Sequence, residues 1–143
     1  MKLSLIIPCY NEQDNLKPLL ELCKRKFTSP DVEVILVNNG STDNSADILS
    51  DILPNYPFAR SVTVEENQGY GYGILAGLKT AKASYVGWTH ADLQANPCDA
   101  ITALDYIEKS NQPLYIKGKR YGRSFSDLFF SVGMSPVSYT HLT

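Results

Sequence analysis

Two periodicities alternate along this chain, and that alternation constrains its fold more tightly than any other feature. Leu3 to Ile7, Val32 to Val37, Arg60 to Val64, Ser84 to Trp88 and Leu114 to Lys117 are short, mostly apolar runs rich in β-branched residues. Such runs suit strands buried on both faces. Helical stripes lie between them. Leu16, Leu19, Leu20, Cys23 and Phe27 recur at helical spacing, with Pro18 in a first turn where backbone N–H groups lack intrahelical acceptors. Ser41-Thr42-Asp43 offers capping oxygens before the pairs Ile48-Leu49 and Ile52-Leu53, and Pro54 limits that helix. Asn96-Pro97 opens another, whose Ile101, Leu104 and Ile107 share one face. Strand, helix, strand at these lengths predicts an α/β fold, a mainly parallel sheet wrapped by helices on both faces. A chain of 143 residues suits a single domain with one core.

Charge and cysteine usage then exclude several functions. A formal net charge of -2 provides no broad basic field for nucleic acid, although Lys24-Arg25-Lys26 and the stretch 117–123 are locally basic. Cys9, Cys23 and Cys98 are too few and too scattered for a disulfide framework or a zinc site, and free thiols fit the cytoplasm. The apolar run before Pro8 is too short for a signal segment. No stretch approaches the roughly 20 apolar residues that span a bilayer, so any membrane contact is expected to be peripheral.

Parallel α/β sheets bind ligands beyond the carboxyl ends of their strands, so the segments following each strand are where chemistry belongs. Four of them are polar: Pro8-Cys9-Tyr10-Asn11-Glu12, Asn38-Asn39-Gly40-Ser41-Thr42-Asp43, Glu65-Glu66-Asn67-Gln68-Gly69 and His90-Ala91-Asp92-Leu93-Gln94. Any one alone reads as a helix cap or turn. Four in succession predict a ligand crevice along one sheet edge.

The segments LIIPCYNEQDNL, VILVNNGSTDNS, ENQGYGYGILAGL and WTHADLQ resemble, in order and spacing, the signatures of family 2 glycosyltransferases. The likeness covers about residues 1 to 125 and is closest to the branch of dolichyl-phosphate mannose synthases and polyprenyl-phosphate sugar synthases. It implies the GT-A fold, a Rossmann-like nucleotide-binding half joined to an acceptor-binding half. It also implies inverting transfer from a nucleotide-diphosphate sugar to a lipid phosphate or a saccharide, at the inner face of the membrane. By this similarity Pro8, Tyr10, Glu12, Val37 and Asn39 hold base and ribose, and His90, Ala91, Asp92 and Gln94 face the diphosphate. The resemblance further implies a divalent cation, Mg²⁺ or Mn²⁺, on Asp92, with His90 expected as an auxiliary ligand or a group just behind it, and Arg120 within GKRYGR expected to reach phosphate oxygens. Asp92 is the expected catalytic residue, because a cation on hard oxygen ligands stabilises the charge developing on a nucleoside diphosphate leaving group.

Two positions depart from the family pattern. His90 stands where the resembling motif usually reads Asp, and neutral imidazole suits Mn²⁺ better than Mg²⁺. Asn39 stands where a base-contacting Asp is usual, and its amide both donates and accepts. These departures leave open a noncatalytic nucleotide-sugar-binding remnant. A second alternative is an NAD-dependent oxidoreductase, since Gly71-Tyr72-Gly73-Ile74-Leu75-Ala76 fits the dinucleotide pattern G-x-G-x-x-A with Asp92 downstream. Against it, the glycines follow a polar segment instead of leaving a strand directly.

Elsewhere Tyr85 and Trp88 read as core aromatics, Cys9 as an inert thiol, and Phe125, Leu128, Phe129 and Phe130 as an apolar cluster after the basic turn. Residues 136–143, PVSYTHLT, match one in-frame translation of a transposon-end adapter used in sequencing libraries. The expected organisation is a partial nucleotide-sugar-binding domain over 1–135 followed by a non-native tail over 136–143. On that reading the acceptor-side elements are absent and the fragment is inactive alone.

Overall fold

A computed structural model describes residues 1–118. Within them β1 (Leu3–Cys9), β2 (Val32–Asn39), β3 (Ala59–Val64) and β4 (Tyr85–Trp88) form one parallel sheet in the order β3-β2-β1-β4. Helices α1 (Leu16–Lys24), α2 (Ser45–Ile52), α3 (Tyr70–Leu78) and α4 (Asp99–Lys109) connect and follow them. The central pair is in register from Leu3 opposite Val32 to Cys9 opposite Asn38, and β4 pairs the other edge of β1 from Leu3 opposite Tyr85.

Strand alternation divides the core into two layers. Leu3, Leu5, Ile7, Val32, Val34 and Leu36 face α1, α2 and α4, where they meet Leu16, Leu19, Leu20, Leu49 and Leu104. Ile6, Ile35, Val37 and Val86 face the opposite side, under Ala76 and Leu78 of α3. The split follows from handedness: the chain passes from β1 to β2 to β3 in one direction, then back across the sheet to β4. Right-handed crossovers that travel in opposite directions place their helices on opposite faces. Gly77 lets α3 lie close on this second layer, since a Cβ there would stand 2.5 Å from Ile6 Cγ2.

The expected elements appear with instructive shifts. Phe27 continues the α1 stripe just past the helix end and is 3% exposed, its N–H donating to the Cys23 carbonyl at 2.8 Å. Asn44 is the α2 N-cap residue, and Asp43 just before it accepts from the Ser45 N–H at 2.9 Å. Asn96 accepts from the Cys98 N–H at 3.0 Å, so Pro97 begins a turn and α4 proper starts at Asp99. β3 corrects the expectation of burial on both faces, because it is the sheet's edge and its residues are only partly covered. The run Leu114 to Lys117 corrects another, since none of its residues is in a strand. Leu114 and Ile116 instead pack on Ala103 and Ile107, so their alternation serves a helix surface.

The strands' amino-terminal end is closed by polar groups. Buried Ser4 donates to Glu33 at 2.7 Å, Glu33 pairs with Arg60 at 3.0 Å, and Arg60 donates to the Thr80 carbonyl beyond α3 at 2.7 Å. Among the described residues no helix is long and apolar enough to cross a membrane.

Candidate functional site

Strand order reverses between β1 and β4, and a crevice opens beyond their carboxyl ends, where a topological switch point places ligands. A pocket of about 250 Å³ there is lined by Pro8, Tyr10 and Glu12 after β1, Asn39 ending β2, Asn67 and Tyr70 around the start of α3, and His90, Ala91 and Asp92 after β4. All four polar segments named from the sequence contribute. A larger groove of about 560 Å³ runs along the outer strand β3 beside Tyr72 and Lys79, away from the switch point.

The first two loops are laced together. Asn11 takes a left-handed φ of 52°, and its side-chain oxygen accepts from the backbone N–H of Thr42 at 2.8 Å and of Asp43 at 3.2 Å. Ser45 Oγ accepts from the Glu12 N–H at 3.2 Å, and Asp43 accepts from the Gln13 N–H at 3.3 Å. Burial pushes the Asp43 carboxyl up, but hydrogen bonds from Ser45 and Gln13 outweigh it and hold the group below its ordinary value. Gly40 adjoins this lacing with φ +71°, and a Cβ there would stand 2.3 Å from the Asn67 nitrogen, so the β2 and β3 loops touch through glycine. Tyr10 is left 46% exposed at the rim.

Asn39 is 3% exposed, and its Nδ2 donates to the Gly69 carbonyl at 3.1 Å. Its Oδ1 is buried with no donor among the described residues. An unmet acceptor costs about 1–3 kcal/mol, and the residue that carries it lines the crevice. His90 stacks on Tyr70, ring centroids 4.7 Å apart and planes 8° from parallel. Burial first, then the Asp92 carboxylate, pushes the Tyr70 phenol up to about 12, so Tyr70 is neutral in ordinary buffers. Asp92 accepts from the Gln94 N–H at 3.0 Å across Leu93, whose φ of 63° is strained for a branched residue.

Pro8, Tyr10, Glu12, Asn39, His90, Ala91 and Asp92 thus line one pocket. Val37 and Gln94 do not line it. Val37 faces α3 two residues before Asn39, buried in the apolar layer, and Gln94 lies exposed beyond the turn that Asp92 closes. Arg120, Lys119, Arg123 and the Phe125 to Phe130 cluster lie outside the described residues. Tyr70 escaped the sequence reading; the available signal was an aromatic ring directly after the Gly69 turn. Cys9 is buried, its thiol donating to the Ile7 carbonyl at 3.3 Å, and burial pushes its pKa up, as an inert thiol requires. Gly73 lies over Asn39 and Pro8, a Cβ there standing 2.9 Å from Asn39 Nδ2, so this glycine serves helix packing.

No group of three or more His, Cys, Asp or Glu suited to a metal occurs among the described residues. A protein-only cage is thereby absent from this region, but Mg²⁺ in nucleotide sites is usually held by one or two carboxylates plus substrate phosphates. Asp92, which lines the crevice and has hard-ligand chemistry, fits that shared arrangement.

The model of glycosyl transferase family 2 matches residues 4–132. An undecaprenyl-phosphate 4-deoxy-4-formamido-L-arabinose transferase of Serratia proteamaculans is 41% identical over 109 residues, which are 72% of this chain and 32% of that protein. An uncharacterized glycosyltransferase, YibD, of Escherichia coli is 36% identical over 67% of this chain and 27% of its own length. The chain therefore spans about a third of the curated relatives it matches. Among solved structures, S. aureus TarS in complex with UDP-GlcNAc superposes with a TM-score of 0.71 at 27% identity, over 88% of this chain and 37% of that one. A Pyrobaculum calidifontis mannosyltransferase in complex with GDP-Man and Mn²⁺ shares the fold at TM-score 0.66 and 21% identity, over 85% of this chain and 36% of that one.

Proposed function

Since this chain belongs to glycosyl transferase family 2 and has the GT-A fold of its nucleotide-binding half, we propose that the crevice binds the nucleoside diphosphate of a nucleotide-sugar donor. The whole protein then transfers that sugar, with inversion, to a polyprenyl phosphate. The observation that carries this reading is the convergence of four strand-end loops on one pocket at the switch point, with Tyr10, Glu12 and Asn39 from the first two loops and His90 and Asp92 from the last. The first two loops offer a ring face and polar groups to a base and ribose, and the last offers hard-ligand chemistry to a diphosphate. Membership also removes support from the oxidoreductase alternative, whose glycines are accounted for by α3 packing.

The chemistry follows from the residues. Tyr10, half exposed at the rim, offers a ring face to a base or ribose. Asp92, with the diphosphate oxygens, would hold a divalent cation, which when bound stabilises negative charge on the departing nucleoside diphosphate. Asp92 is fixed for that role by its hydrogen bond to Gln94, and His90 lines the pocket with it. A phosphate acceptor is already anionic at neutral pH, so its attack needs no general base, whereas a hydroxyl acceptor needs one. A lipid-phosphate acceptor is favoured by similarity to proteins named for undecaprenyl phosphate.

Calorimetric titration of the chain with UDP, GDP and UDP-sugars, with and without Mn²⁺ or Mg²⁺, tests the reading. Saturable binding enhanced by the cation is expected. Failure of every nucleoside diphosphate to bind would refute it, and a product that keeps the donor's anomeric configuration would refute inversion.

A further inference from the structure

We propose that Tyr70 is a positioning residue: it holds the His90 imidazole in one plane facing the crevice, and its own place is set by Asn39 through Gly69. Three contacts in series carry this. Asn39 Nδ2 donates to the Gly69 carbonyl at 3.1 Å, and Asn39 is itself clamped, with Gly73 of α3 packed against its amide. Gly69, with φ +101°, turns the chain directly into Tyr70, the first residue of α3. Tyr70 then lies flat on His90 at 4.7 Å and 8°. Positions 39 and 90, far apart in sequence, are thus joined by one residue pair, Gly69-Tyr70.

The identity of residue 39 matters to this chain of contacts. A carboxylate there has no proton to give and would place negative charge against the Gly69 carbonyl oxygen, so Asn39→Asp should release the turn. A free imidazole on a loop samples several rotamers, while a stacked one is confined before any ligand arrives, and that lowers the ordering cost of binding. Neutral imidazole carries one N–H donor, suited to a phosphate oxygen. The ligand half of this inference rests on the nucleotide-site reading above; the positioning half does not.

Proton NMR of the His90 ring, compared between the unaltered chain, Tyr70→Phe, Tyr70→Leu and Asn39→Asp, reads the stack without any ligand. Ring-current displacement of the His90 signals should persist in Tyr70→Phe and disappear in Tyr70→Leu and Asn39→Asp. His141 is the only other histidine in the sequence, so His90→Gln assigns the signals. UDP titration of the same proteins should show Tyr70→Leu weakened about tenfold relative to Tyr70→Phe, the variant that keeps the ring, which is the scale of one charge-assisted hydrogen bond. Because Tyr70 is 39% exposed, Tyr70→Leu is expected to fold normally, and an unchanged melting temperature checks this. The proposal is overturned if His90 signals are the same in Tyr70→Leu, if Asn39→Asp leaves the stack intact, or if Tyr70→Leu binds UDP as tightly as the unaltered chain. An unaltered chain that shows the stack but binds no nucleoside diphosphate overturns the ligand half together with the nucleotide-site reading. Binding weakened wherever the stack is lost, in Tyr70→Leu and Asn39→Asp, supports both.

Discussion

Gly77→Ala and Gly71→Ala make the same chemical change on one helix, and the structure assigns them opposite signs. In both, replacing glycine restricts the unfolded chain and favours helix, a gain of about 0.4–1 kcal/mol. At Gly71 nothing among the described residues lies within 4 Å of the added Cβ, so the gain should survive. At Gly77 the Cβ would stand 2.5 Å from Ile6 Cγ2 and 3.0 Å from both Ile6 Cγ1 and Val37 Cγ2. Carbon atoms prefer about 3.5–4.0 Å, so roughly 1 Å of relief is needed from two side chains that are 0% exposed. They are held between the sheet and α3, and overpacking of this kind costs about 1–3 kcal/mol. The net is a destabilisation of about 1–2 kcal/mol for Gly77→Ala, which at this size lowers the melting temperature by about 4–8 °C, against a rise of about 2–4 °C for Gly71→Ala. Thermal melts followed by circular dichroism, with urea titrations as a check, measure both. Equal shifts of the two variants in the same direction would refute the close seating of α3 on β1 and β2.

Three further outcomes are expected. Asp92→Asn should abolish most of the cation-dependent part of UDP-sugar binding while leaving nucleoside binding within about twofold, since it removes a hard ligand without emptying the base side; calorimetry with and without Mn²⁺ decides, and an unchanged metal dependence would sink the cation role. Asp43 has a lowered folded-state pKa, so the stability it contributes is complete above its ordinary value of 3.8 and is lost as pH falls below it; Asp43→Asn should therefore flatten the acid limb of melting temperature against pH, and an unaltered limb would show that the lacing of the two loops is not ionic. Cys9 should resist iodoacetamide at pH 8 in the folded chain and react on unfolding, because burial raises its pKa and hides its sulfur; rapid native labelling of Cys9, read by peptide mass spectrometry, would contradict the packing of β1.

Local chemistry in the sequence determined a good deal of this protein. The β-branched runs before Pro8, Asn38, Glu65 and Thr89 specify the strands, since only a sheet covered on its faces buries such runs, and the polar segments after them specify which end carries the site. The stripe from Leu16 to Phe27 likewise determined the helix and its buried face. Boundaries depended on single hydrogen bonds, as at Asp43 and Asn96, where the accepting oxygen sits just ahead of the first helical turn. Leu114 and Ile116 could not be resolved by pattern, because period two suits any apolar surface and only the position of α4 decided what they would cover. Val37 and Asn39 differ by two residues on one face, yet one is core and the other site, a distinction set by where Gly73 and Gly77 let α3 begin and lie. Tertiary structure alone placed Tyr70 on His90, since a contact across 20 residues depends on the strand order β3-β2-β1-β4 returning the chain beside β1, and no local periodicity encodes that return.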